Sequence, residues 1–177
     1  MIDERLDILL LAGLVSSRPH WHFVLIGPVV KIDPVSLPQA SNLHYLGGKQ
    51  YDELPAYLGG WDVAMMPFAR NQATRYISPT KTPEYLAGGK PVISTSIQDV
   101  IHPYGALNLV EIADTPEAFI TCAEKMLSES DKTTWLETVD AYLITTSWDK
   151  TWQAMVALIA PLLQHQNINQ EKLPVNV

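Results

Sequence analysis

Apolar residues fall along this chain in short clusters whose spacing switches between that of helices and that of buried strands. Over residues 3–17, Leu6, Leu9, Leu10 and Leu14 recur at helical intervals, with Gly13 on the same face. A glycine there lets the helix pack closely on a sheet. Arg18-Pro19 closes the segment, because proline disfavours helical backbone at the residue before it. Phe23-Val24-Leu25-Ile26, stopped by Gly27-Pro28, reads as a buried strand. Leu43–Leu46 before Gly47-Gly48, Val63–Phe68, Pro91–Ser94 and Leu107–Ile112 read as four more strands. Tyr51–Tyr57 and Thr82–Ala87 read as short helices stopped by Gly59-Gly60 and Gly88-Gly89.

Three helices are expected to close the chain. The first starts at Asp114-Thr115-Pro116-Glu117, which offers caps and a first-turn proline. Its apolar face carries Phe119, Cys122, Ala123, Met126 and Leu127, so Cys122 reads as a core thiol. The second spans about 132–145. The third starts near Ser147 and places Trp152, Met155, Val156, Ile159, Leu162 and Leu163 on one side. Trp135, Trp148 and Trp152 read as packing residues. Residues 164–177 form a polar tail behind a domain expected over 1–163. Short apolar strands alternating with helices predict an α/β fold, a doubly wound parallel sheet covered on both faces. Such sheets bind ligands beyond the carboxyl ends of their strands. Here those ends are Gly27-Pro28, Gly47-Gly48, Phe68-Ala69 and Ser94-Thr95.

Composition narrows the function. The 177 residues suit one domain and are too apolar, at 47%, for disorder. One cysteine excludes a disulfide framework and a Cys-rich metal site, and no histidine has metal-ligand spacing. No apolar run reaches membrane-span length, and the acidic N-terminal stretch is unlike a secretory signal. A cytoplasmic place is therefore expected, with peripheral membrane attachment open for a longer enzyme. The net charge of −7 argues against nucleic acid as partner. That charge is uneven: residues 70–90 carry +3 and the remainder −10. A basic segment in an acidic domain suits a small anion, or is a chance cluster on a solvated surface.

The same segment leaves one of the expected strand ends. Ser78 reads as an N-cap and Pro79 as a first helical residue, followed by amides with no helical partner. Those amides with Lys81 would make an anion site, phosphate above all. Glu84, three residues on, would accept hydrogen bonds from sugar hydroxyls, and a phosphate beside a diol is a nucleotide. The alternative is a capped helix with a Lys–Glu pair. No Gly-x-Gly-x-x-Gly or P-loop occurs, against an oxidoreductase or ATPase.

Ser78 through Val92, Ser-Pro-Thr-Lys-Thr-Pro-Glu-Tyr-Leu-Ala-Gly-Gly-Lys-Pro-Val, resembles the donor-site motif of GT-B-fold, sugar-nucleotide-dependent glycosyltransferases of group 1, family 4 type. Phe23–Pro28, Leu43–Gly47 with Tyr51–Leu54, Asp62–Phe68 and Ser147-Trp148-Asp149 resemble the family's other landmarks, in its order. The resemblance implies the donor-binding half of an enzyme moving a sugar from a nucleoside diphosphate, of UDP or GDP type, to an acceptor hydroxyl. It implies that Glu84 holds the ribose hydroxyls and Lys81 the diphosphate, the two catalytic positions. Ser78, Pro79 and Thr80 would cradle the phosphates, and Asn71 and Thr74 would reach the transferred sugar. Gly27, Pro28, Leu46 and Gly47 would line the base pocket. Arg5 would supply another phosphate contact, as would Arg70 and Arg75 unless solvated. No cofactor beyond the nucleotide sugar and no metal are implied.

Two departures stand against the pattern. Tyr76 occupies the position of the family's second acid and carries no charge near neutral pH. The family's acceptor half and a first, central strand have no counterpart here. The strands at Phe23–Ile26 and Val63–Phe68 are then expected to close up, or a second chain to cover the gap. A non-catalytic nucleotide-sugar-binding or interaction module, and a GT-B-like sugar-nucleotide epimerase, are the competing readings.

Overall fold

The structure, a computed structural model, describes residues 1–170, with side chains as far as Pro161. Helix α1 covers Ile8–Ser17, shorter than the expected 3–17. Asp7 sets its start by accepting from the Leu10 amide at 2.9 Å. Leu10, Leu11, Leu14 and Val15 are buried, whereas Leu9 faces solvent. A Cβ on Gly13 would meet Pro116 Cγ at 2.6 Å, so the glycine allows close approach to another helix, not to a sheet.

Strands β1 (Phe23–Leu25) and β2 (Leu43–Tyr45) pair in parallel, Phe23 opposite Leu43. The expected helix at Tyr51–Tyr57 is a 3-10 turn, Tyr51–Glu53, running into α2 (Leu54–Gly59). Strand β3 (Ala64–Met66) is followed by the basic loop and by α3 (Lys81–Ala87). Strand β4 (Val92–Ser94) lies in parallel between β3 and the later β5. After β4 come a short turn, α4 (Gln98–Val100), and a kinked turn to Gly105. Strand β5 is only Glu111–Ile112. The expected strand from Leu107 fails because the preceding turn persists: Leu109 donates to the Tyr104 carbonyl and Asn108 has φ 54°.

Helix α5 covers Pro116–Ser128, with the Thr115 hydroxyl accepting from the Ala118 amide. Phe119, Ala123 and Met126 are buried as expected, Cys122 packs against the core, and Leu127 is exposed. Burial pushes the Cys122 thiol up, as suits a packing residue. Helix α6 (Thr133–Leu143) follows. Helix α7 (Trp148–Gln170) begins where Ser147 Oγ accepts from the Lys150 amide. Its Trp148, Trp152, Met155, Val156 and Ile159 are exposed, so Trp148 and Trp152 are not the packing residues expected; Leu162 and Leu163 lie outside the described side chains. The chain divides into two compact units, Met1–Val139 and Asp140–Val177.

Every strand pair is parallel, as the alternating pattern predicts, but the strands form two sheets, β1–β2 and β3–β4–β5. The expectation that the strands flanking the gap close up is not met: among the described residues β1 and β3 do not pair. The N-terminal stretch, expected as helix, instead joins their far ends. Ile2 donates to the Pro28 carbonyl and accepts from Val30, both at 2.9 Å. Arg5 accepts from Ala69, and Asp7 donates to Pro67, both at 2.8 Å. Below this tie the core is one cluster, in which Leu10, Leu11, Leu14 and Val15 of α1 meet Phe23, Leu43, Ile93 and Phe119. Each such leucine removed from water contributes about 1.5–3 kcal/mol.

Candidate functional site

The carboxyl ends of the strands carry the residues singled out in the sequence. Helix α3 starts at Lys81 with Thr80 at the N-cap, not at Pro79 with Ser78 as cap. The Thr80 side chain makes no cap bond, the Thr82 amide already donates to the Pro79 carbonyl at 3.2 Å, and Pro83 has no amide to give. Fewer amides are therefore open here than Ser78–Thr80 suggested. Thr82 and Leu86 are the buried face of α3. Lys81 and Glu84 stand on the exposed face, Lys81 Nζ to Glu84 Oε2 at 2.7 Å. An exposed pair of this kind is worth about 0.2–0.5 kcal/mol, so a ligand displaces it at little cost.

The basic loop is tightly organised. The Asn71 carboxamide oxygen accepts from the amides of Ala73 and Thr74, and its Nδ2 donates to the Glu4 carbonyl at 3.1 Å. Thr74 is buried, and its hydroxyl donates to the Ala69 carbonyl. Thr74 therefore holds the loop's shape from inside, whereas Tyr76 is exposed with the Arg75 guanidinium over its ring. Arg70 Nη1 reaches Asp114 Oδ2 at 3.1 Å, and Asp114 also accepts from the Ser96 amide and hydroxyl. Lys90 donates to the Gly59 and Trp61 carbonyls. A cleft of about 480 Å³ is lined by Arg70, Asn71, Gln72, Thr74 and Arg75 of this loop and by Ser96, Ile97 and Gln98 beyond β4. Ser78, Lys81 and Glu84 are not among its walls.

Arg5 lies elsewhere in the hydrogen-bond plan. It forks onto Asp3, Nη2 to Oδ2 at 2.6 Å and Nε to Oδ1 at 2.9 Å. Asp3 is buried, and the Arg5 hydrogen bonds hold its carboxyl below the usual aspartate range. At the β1–β2 end, the Gly27 amide donates to the Gly47 carbonyl at 2.8 Å. Gly27 has φ 139°, and a Cβ there would press on the Met1 amino nitrogen at 2.9 Å, so only glycine fits. Gly47, at φ 67°, faces open space, and Pro28 and Leu46 are exposed beside it. The structure thus brings Gly27, Pro28, Leu46 and Gly47 together as one turn pair, and Lys81 with Glu84 as another group.

Sequence reasoning passed over Ser96 and Gln98, which complete the cleft from a segment remote in sequence, and Asp114, which holds Ser96 and Arg70. It also passed over Asn42, buried, whose Nδ2 donates to the carbonyls of Val15, Arg18 and Trp21 at 3.1–3.2 Å. No local motif marks either arrangement. Among the described residues no cluster of three or more His, Cys, Asp or Glu could hold a metal, and no helix is long and apolar enough to cross a membrane.

Comparison with known proteins places this geometry. The chain is 30% identical over 142 residues to a protein named as a teichuronic acid biosynthesis glycosyltransferase, TuaH of Bacillus subtilis (strain 168), a match covering 77% of this chain and 35% of that protein. It thus spans about a third of that relative's length. The crystal structure of α,α-trehalose 6-phosphate synthase from Burkholderia multivorans superposes with a TM-score of 0.68 at 15% identity, over 99% of this chain and 44% of that one. WaaG, a glycosyltransferase involved in lipopolysaccharide biosynthesis, superposes with a TM-score of 0.57 at 20% identity, over 80% and 39%. These two show the fold, a Rossmann-like part of GT-B architecture. Residues 5–129, which hold the turns at Gly27-Pro28 and Leu46-Gly47, α3 and the basic loop, match the family model of glycosyl transferases group 1, and the chain belongs to that family.

Proposed function

We propose that this chain supplies the donor-binding part of a glycosyl transfer, in which a sugar passes from a nucleoside diphosphate of UDP or GDP type to an acceptor hydroxyl. The reading rests on one observation above the rest: α3 buries Thr82 and Leu86 and thereby presents Lys81 and Glu84, 2.7 Å apart, on the face open to solvent. A phosphate draws off Lys81 while a ribose diol donates to Glu84, so one weak internal pair is exchanged for two ligand contacts. In the transfer, the bond from the anomeric carbon to the phosphate oxygen breaks and its electron pair leaves with the nucleoside diphosphate. The acceptor oxygen bonds to the same carbon and loses its proton to the departing phosphate oxygen or to water. Lys81 stabilises the negative charge that grows on the departing diphosphate, with Ser78–Thr80 beside it. Gly27, Pro28, Leu46 and Gly47 form the turns against which the base lies. Arg5, forked onto Asp3, and Thr74, turned into its own loop, support these elements from behind.

Calorimetric titration of the chain with UDP, GDP and their sugars tests this. Lys81→Ala and Glu84→Ala are each expected to weaken nucleotide binding by about tenfold, the loss of one charge-assisted contact. Because both side chains are exposed, melting should shift little. Binding that survives both substitutions unchanged overturns the assignment of these residues.

A further inference from the structure

The basic segment holds four cations, and the chain itself accounts for three. Arg70 pairs with Asp114, Lys81 with Glu84, and Lys90 with two backbone carbonyls. Arg75 has no carboxylate partner among the described residues, whereas the other three arginines pair with Asp3, Glu124 and Asp114. Its guanidinium is instead stacked on Tyr76, 5.2 Å from the ring centroid. Stacking pre-orders the fork without neutralising it.

Arg75 opens on the cleft of about 480 Å³, a volume within the range of small-molecule sites. The lining contains two guanidinium groups, three carboxamides and two hydroxyls, and no carboxylate. Asn71, Thr74 and Ser96 are engaged within the fold. Gln72 and Gln98 have no side-chain hydrogen bond among the described residues and line the cleft from separate segments. Asp114, which also accepts from Ser96, neutralises Arg70, so the uncompensated charge of the lining belongs to Arg75. An oxyanion suits this set: a planar fork for two oxygens, with amide donors around it.

We propose that this cleft is an oxyanion subsite which takes a carboxylate or phosphate carried by the acceptor. The inference rests on the glycosyl-transfer reading, and it gives that reading an acceptor class. Gly27, Gly47, Lys81 and Glu84 do not line the cleft, which sets its lining apart from the residues proposed to hold the donor's base, ribose and diphosphate.

The test uses the whole chain and follows the arginine Nε–Hε signals by NMR. Methyl glucuronide supplies a carboxylate, glycerol phosphate a phosphate, and methyl glucoside neither. The Arg75 signal is expected to shift saturably with one or both anions and not with the neutral glycoside. Arg75→Gln should weaken that binding by at least about fivefold, and high salt should weaken it as well. The stronger anion decides between an acidic-sugar and a phosphorylated acceptor. Equal binding by Arg75→Gln, or no shift with either anion, overturns the subsite. So does a shift with UDP that both anions compete away, which would give the cleft to the donor. UDP binding that depends on Lys81, found without any anion at Arg75, removes the subsite alone. Anion binding at Arg75 in a chain that binds no nucleotide removes the donor reading alone.

Discussion

Asp3 and Arg5 show how a charged pair can serve structure in a place where a ligand contact was expected. Asp3 is buried, and three hydrogen-bond contacts from the Arg5 guanidinium keep its carboxyl ionised below the usual range. A carboxyl with a depressed folded value contributes stability that is complete above the ordinary aspartate value, about 3.9, and is lost as pH falls through the folded value. Urea unfolding followed from neutral pH down to acid should therefore show a decline below about pH 4 that Asp3→Asn makes shallower. At neutral pH the same substitution should cost about 1–3 kcal/mol, as for a lost buried charge-assisted bond. An unchanged acid limb in Asp3→Asn would show that the pair does not tie down this stretch. Glu84 and Lys81 are the contrast: exposed, weakly paired, and so available to a ligand.

At the scale of elements, an end can be set by a residue far from it in sequence. Asn42 does so for α1 from outside the helix, by giving its carboxamide hydrogens to three carbonyls at and beyond the last turn. Asn42→Ala should destabilise by about 1–3 kcal/mol in chemical denaturation, and Asn42→Asp by more, since a carboxylate would face carbonyl oxygens. A cost near zero would mean that water serves these carbonyls equally well. The gap between β1 and β3 makes a separate prediction. Phe23 donates to Asn42 and Ala64 to Pro91, so in parallel ladders the next amides, Val24 and Met65, point away from their partner strands. Hydrogen exchange should be faster at Val24 and Met65 than at Phe23 and Ala64. Slow exchange at Val24 and Met65 that depends on protein concentration would instead show a second chain in the gap.

These elements also show what the sequence could and could not tell. Strand positions were legible because short apolar runs bounded by glycine and proline have few other homes. Lys81 and Glu84 were legible as neighbours on one helix face because helical spacing places them together without any tertiary knowledge. Strand and helix boundaries were less so: Asp7 as cap moved the start of α1, and the turn held by Leu109 shortened β5. Gly13 was legible as a close approach, but its partner, Pro116, lies too far along the chain to be read locally. The cleft at Arg75 was not legible, because two segments about twenty residues apart meet only through the order of β3 and β4.

For the whole molecule, the uneven charge now has a physical arrangement. The −10 framework surrounds a +3 segment whose cations are divided between structure and solvent: Arg70 and Lys90 bind the fold, while Lys81 and Arg75 remain addressable. Sheet ends, α3 and the basic loop all belong to the unit Met1–Val139, which also contains the family match. The chain spans about a third of the length of its bacterial relative. The central claim is narrower: the turns at Gly27-Pro28 and Leu46-Gly47 and α3 bind one nucleotide sugar together. The most direct measurement is a backbone amide NMR titration of the chain with UDP- and GDP-sugars. The account predicts that the amides of Gly27, Gly47, Thr80, Lys81, Thr82 and Glu84 shift together with a single saturation curve, and that Lys81→Ala moves the midpoint of that curve about tenfold at all of them. Absence of any response to every nucleotide sugar, or a response confined to other residues, would contradict it.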